Sequence, residues 1–156
     1  MILTRSLTAN SVTHMSAMPE AESQHEFGLL DTSVVIDYQE LGDELLPRYR
    51  TISTVTLAEL HAGPSAARNN ALKQAQRQQM LNWAQRIFRN PLPFDEISAQ
   101  TYGSVYLLIQ ESGRKPRKYV PDMMIAAIAI RNQLPFYTRN PRDFEPLESL
   151  LEICPV

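Results

Sequence analysis

Asp122-Met123-Met124-Ile125-Ala126-Ala127-Ile128-Ala129-Ile130-Arg131 carries an acid, eight apolar residues and a closing base. Such a segment has no polar face, so it predicts a helix buried on most sides with Asp122 in its first turn. The surrounding chain must therefore supply packing partners on several sides. A second stretch points the same way. Gly28-Leu29-Leu30 runs into Asp31-Thr32-Ser33 and then Val34-Val35-Ile36. An apolar run that stops at an acid and two hydroxyls, then resumes, reads as a buried strand, a turn and a capped helix.

The rest of the chain repeats the alternation. Leu41, Leu45 and Leu46 mark a short helix within Asp37–Arg50, and β-branched Thr51–Val55 reads as a strand. Thr56-Leu57-Ala58-Glu59 has the form of a capping box, opening a helix that Gly63-Pro64 is expected to break near Ala62. A helix with its stripe at Met80, Trp83, Ala84 and Ile87 fills Ala66–Asn90. Leu92–Phe94 is a minimal third strand. Asp95 caps a helix from Glu96 to Ser112 with Ile97, Thr101, Val105, Leu108 and Ile109 on one face. Leu134–Thr138 is a fourth strand and Leu150–Cys154 a fifth. Strands alternating with helices predict an α/β sandwich on a mainly parallel sheet.

Length bounds this to one domain with a sizeable core, at 156 residues. A net charge of -2 argues against a surface wholly built to hold nucleic acid, while leaving room for a local basic track. No apolar run reaches the roughly 20 residues that span a bilayer, so no membrane association is expected. One cysteine, Cys154, forbids an internal disulfide and suits a reducing cytosol; its neighbours Leu150, Leu151 and Ile153 suggest a buried thiol rather than a reactive one. Residues 1–26 are rich in Ser, Thr, Ala, Met and Glu without periodicity, and are expected to form a flexible arm or an extension upstream of Met15 or Met18. Residues 27–156 form the domain.

In a right-handed βαβ sheet, residues that follow strands and residues that open helices share one edge. Asp31, Glu59 and Asp143 follow strands and Asp122 opens a helix, so topology brings the four to one crevice. Each alone is explained as a helix cap or turn residue. Together, four ionised carboxylates repel one another, and a divalent cation resolves the conflict. All-oxygen ligands favour Mg²⁺ or Mn²⁺, and no His/Cys cluster accompanies them to suggest zinc. Such an ion suits hydrolysis of a phosphodiester.

The blocks Leu-Leu-Asp31-Thr-Ser, Leu57-Ala58-Glu59-Leu60-x-x-Gly63, Asp122-x-x-Ile125-Ala126-Ala127-x-Ala129 and Thr138-Arg139-Asn140-x-x-Asp143-Phe144 resemble, in order and spacing, the four blocks of PIN domains. The resemblance is strongest to the toxins of VapBC toxin–antitoxin pairs and runs from about Gly28 to the C-terminus. It implies a three-layer sandwich on a five-stranded parallel sheet and a Mg²⁺- or Mn²⁺-dependent endoribonuclease toxin, cytoplasmic, cleaving tRNA or rRNA to leave 5′-phosphate and 3′-hydroxyl ends. By that likeness Asp31 and Asp122 are the most direct metal ligands, with Glu59 and Asp143 completing the catalytic quartet. Thr32, Thr138 and Asn140 match polar positions that hold carboxylates or waters. The resemblance also implies a homodimer and a cognate VapB-type antitoxin. The arm departs from the pattern, since these toxins usually begin near the first strand.

Between Arg114 and Arg142 lie seven Lys/Arg and one acid, Asp122. Arg114, Lys115, Arg117, Lys118 and Arg139 are the candidate RNA-binding residues, with Tyr119 able to stack on an unpaired base; the bland reading is a solvated loop. His61 does not share a helical face with Glu59, and His14 and His25 have no partner motif. Two other functions stay open. One is a non-catalytic PIN-like module that binds RNA or a peptide. The other, phosphoryl transfer through Asp31, lacks the second acid expected two residues on.

Overall fold

The computed structural model describes residues 25–156. The expected arm, with His14 and the alternative starts at Met15 and Met18, lies outside them apart from His25 and Glu26. Those two are tied in: their carbonyls accept from Arg48 N and Tyr49 N at 2.9 and 2.7 Å.

Four parallel strands make one sheet in the order β2-β1-β3-β4: β1 Phe27–Leu30, β2 Tyr49–Thr51, β3 Phe136–Thr138 and β4 Ile153–Pro155. The helices are α1 Thr32–Ile36, α2 Thr54–Ala66, α3 Ala71–Ile87, α4 Glu96–Glu111, α5 Val120–Arg131 and α6 Pro141–Phe144. Period-two alternation splits the core between the two faces of the sheet. Leu29 and Phe136 join Val105 and Ile109 of α4 and Met123 and Ile125 to Ala129 of α5 on one side. Leu30 and Tyr137 join Val34 and Val35 of α1, Leu60 of α2, and Leu81 and Ala84 of α3 on the other. Three layers result, as expected. Leu29 and Leu30 are fully buried, each worth about 2 kcal/mol relative to exposure. The helix with no polar face is α5, and six of its residues are buried.

The sheet has four strands rather than five. Leu92 makes only an isolated parallel bridge to Ser53, donating to Ile52 O and accepting from Thr54 N. Pro91 and Pro93 flank it without N–H donors, so the ladder cannot lengthen. The second strand ends at Thr51, not Val55, because Ser53 caps α2 by accepting from Thr56 N at 2.9 Å. Thr56 therefore sits inside the helix, and the expected capping box is not formed. Nor does Gly63-Pro64 break α2, which continues to Ala66. Pro64 falls in the last turn, where the missing N–H forgoes only one helical bond, and the free Gly63 carbonyl accepts from Arg77 at 3.0 Å.

Two 3₁₀ turns, Tyr38–Glu40 and Asp43–Leu45, replace the short helix expected after Asp37. On α3 the buried residues are Leu81 and Ala84, while Ile87 is exposed. Asp95 caps α4 as expected, accepting from Ser98 N at 2.8 Å. Cys154 is half-buried on β4, and burial together with the Glu152 charge pushes its thiol up to about 11.

Candidate active site

The carboxyl ends of β1 and β3, the start of α2 and the start of α5 meet on one edge of the sheet. Asp31 caps α1 directly after β1 and is only 3% exposed. Its Oδ1 accepts from Thr32 N at 2.8 Å, while its Oδ2 accepts from Ser33 Oγ and Thr138 Oγ1, each at 2.8 Å. Both oxygens are thus fixed by one helix start and one neighbouring strand. Burial raises the Asp31 pKa, and the three hydrogen bonds work against that rise.

Glu59 lies on α2, and its Oε2 accepts from Thr32 Oγ1. Thr32 Oγ1 also lies 3.1 Å from Thr56 Oγ1, which is 3.2 Å from Ser53 Oγ. A hydroxyl carries one proton, so with Thr32 donating to Glu59, Thr56 serves Thr32 and Ser53 serves Thr56. A chain of three hydroxyls then ends on the Glu59 carboxylate.

Asp122 sits in the first turn of α5 beyond Pro121. Its pKa is pushed up to about 6, by burial first and then by the charges of Asp31, Glu59 and Asp143. All three other acids act on Asp122 through their charge. Asp143, on α6, is half-buried and also raises Asp31. Asp122 thus feels the charge of the other three carboxylates, and Asp31 that of Asp143. Among the described residues, the only three candidate ligand atoms within 4.8 Å of one another belong elsewhere, to His25, Glu152 and Cys154.

The remaining expected residues divide. Thr138 donates to Asp31 and accepts from Asn140 N at 3.0 Å, so Asn140 enters through its backbone. Lys115, Arg117 and Lys118 are exposed. Arg114 is instead a tether: it donates to Asp143 O at 2.9 Å and lies 3.8 Å from Glu145. Arg139 pairs with Asp37 at 3.2 Å, and its N–H donates to Ser33 Oγ at 3.2 Å. Ser33, Ser53 and Thr56 join the site without a signal in the sequence that marks them as its polar supports. Ser33 does stand inside the Asp-Thr-Ser turn, two residues past the acid it serves. A mostly apolar groove of about 570 Å³ borders Thr32 and Glu59 and runs between α2 and α3 past Gly63 and Arg77.

An all-oxygen donor set of repelling carboxylates, two of them with raised pKa values, fits a hard divalent cation. Sheet order, flanking helices and acid quartet define a PIN-like α/β domain. No family model matches the chain. It is 33% identical over 142 residues to Ribonuclease VapC5 of Mycobacterium tuberculosis, covering 89% of this chain and 96% of that protein. The fold matches the crystal structure of VapBC-5, a member of the VapBC family of toxin–antitoxin systems from Mycobacterium tuberculosis, at 34% identity and a TM-score of 0.72, over 84% of this chain and 99% of that one. FitAcB from Neisseria gonorrhoeae is similar at 26% identity and a TM-score of 0.62, covering 80% and 94%. The chain belongs to the VapC ribonuclease family.

Proposed function

We propose that this protein is the toxin of a VapBC-type toxin–antitoxin pair, a divalent-metal-dependent endoribonuclease. The observation that carries the reading is Asp122, whose carboxyl feels Asp31, Glu59 and Asp143 together at the edge where the strands end. Asp31 and Asp122 would hold Mg²⁺ or Mn²⁺, with Glu59 and Asp143 completing the set. Bound there, the ion supplies Lewis-acid stabilisation of charge on a phosphodiester and lowers the pKa of water.

The chain's own residues do the positioning. Thr32 N, Ser33 and Thr138 fix both oxygens of Asp31, and the Ser53–Thr56–Thr32 hydroxyl chain orients Glu59. The exposed Lys115, Arg117 and Lys118 hold RNA phosphates, and unpaired loops of tRNA or rRNA suit a recessed acidic site better than a regular duplex. Arg114 shapes the loop rather than touching RNA. The protein acts in the cytoplasm as a homodimer, restrained by a VapB-type antitoxin. Among the described residues no helix is long and apolar enough to cross a membrane.

The test is cleavage of total tRNA and rRNA by antitoxin-free protein with Mg²⁺, Mn²⁺ or EDTA, beside Asp122→Asn. Discrete fragments that need metal and fall at least ~100-fold in the variant, about 2.7 kcal/mol of transition-state stabilisation, are expected. Equal cleavage by the variant would overturn the assignment. RNA binding without cleavage by either would favour a non-catalytic module.

A further inference from the structure

His25, Glu152 and Cys154 converge at a place the acid quartet does not use. His25 lies just ahead of β1, Glu152 just ahead of β4 and Cys154 on β4. Tyr137 of β3 faces Cys154 in the strand register, between the other two strands. His25 Nε2 is 2.9 Å from Glu152 Oε1, and His25 Nδ1 is 2.8 Å from Tyr137 Oη and 3.8 Å from Cys154 Sγ. One ligand atom from each of His25, Glu152 and Cys154 falls within 4.8 Å of the others.

We propose that these three residues form a second cation site, of the Zn²⁺ class, that fastens the segment ahead of β1 to the last strand. Nitrogen, thiolate sulfur and carboxylate oxygen are the donors a borderline-soft ion takes, whereas the quartet offers oxygen alone. With Zn–S about 2.3 Å and Zn–N about 2.0 Å, a tetrahedral N···S edge is about 3.5 Å. The observed 3.8 Å is close to that spacing without rearrangement. The Glu152 side chain is 63% exposed and that of His25 36%, so the carboxylate is free to swing onto the ion and water can take the fourth position. On loading, Tyr137 Oη gives up its contact with Nδ1, and the Cys154 thiol releases its proton to solvent as sulfur becomes the ligand.

An ion here would add a tie across β3 between the segment ahead of β1 and the last strand. Strand β4 is three residues long and stands at the sheet edge. The site is independent of the nuclease reading, so either can fail alone.

The test is titration of the full chain carrying Asp122→Asn, which cripples the quartet, with Co²⁺ followed by absorption. A thiolate-to-cobalt charge-transfer band at stoichiometric Co²⁺ is expected, displaced by Zn²⁺ and untouched by excess Mg²⁺. Cys154→Ser should abolish it. Glu152→Gln, at an exposed position that does not endanger folding, should weaken binding ~10-fold or more. Zn²⁺ should raise the melting temperature of the parent and leave that of Cys154→Ser unchanged. Absence of the thiolate band in folded parent protein, or a titration unaltered by both Glu152→Gln and His25→Ala, would overturn the site and leave a plain hydrogen-bonded tether.

Discussion

Thr32 does two things at once on the edge that carries the four acids. Its N–H fixes Asp31 and its hydroxyl reaches Glu59, with Thr56 and Ser53 behind it. Thr32→Val keeps the shape and the N–H while deleting the hydroxyl, so Glu59 loses its orienting donor and Thr56 loses the acceptor it serves. An outer partner of a metal-binding carboxylate typically matters 10–100-fold, and RNA cleavage should fall by ~30-fold. Thr32→Ser should restore most of it. Measuring cleavage against Mg²⁺ concentration separates this from simple unfolding, because the valine variant should also need more metal. Equal activity in the valine variant would mean that Glu59 is held by something other than Thr32.

At the scale of elements, β1 must pass close to its neighbours for the edge to assemble. A Cβ built on Gly28 would lie 2.7 Å from both Pro47 Cγ and Tyr137 Cε2, closer than side-chain carbons approach. The prolyl ring is stiff and Tyr137 is buried, so neither yields cheaply. Gly28→Ala should destabilise the fold by about 1–3 kcal/mol, read as a lowered urea midpoint with an unchanged slope. Elements were legible in the sequence wherever a local rule settled them. The polar-free α5, the Asp95 cap of α4 and the Asp31 turn all followed from residues within one or two turns. The errors arose where a competing partner decided. Ser53 outbid Thr56 for the cap of α2, which freed Glu59 to face Thr32 instead of its own backbone. Pro91 and Pro93 reduced the third strand to one bridge, a consequence the sequence did contain. The placement of the four acids on one edge was readable because topology alone fixes which strand ends and helix starts share it. Ser33 and the hydroxyl chain were not, because their roles depend on distances across elements. His25 shows no partner motif in the sequence for the same reason: its partners lie 112 and 127 positions away.

Across the whole molecule, a net charge of -2 gives RNA little long-range attraction, and in the proposed function the exposed Lys115, Arg117 and Lys118 would supply it locally. Replacing all three by Gln should raise KM ~10-fold at moderate salt and flatten its salt dependence, with kcat little changed. Global stability carries a further signature of the quartet. The Asp122 pKa stands near 6 in the folded chain against an ordinary 3.8, so between those values the folded state holds more protons than the unfolded one. Stability from this group is complete below about pH 4 and is lost as pH rises through 6. Asp122→Asn is neutral throughout, so in EDTA it should match the parent in acid and melt higher at pH 8. Discounted for the part of the carboxyl that water screens, the gap should be about 1–2 kcal/mol. In the proposed site Mg²⁺ would bind only the assembled cluster, so at pH 8 it should raise the melting temperature of the parent more than that of the variant. Thermal melts at pH 4.5 and 8, each with EDTA or Mg²⁺, make the comparison. A variant no more stable than the parent at pH 8 in EDTA would show that the four carboxylates do not strain one another, and the case for a cation at this edge would lose its physical basis.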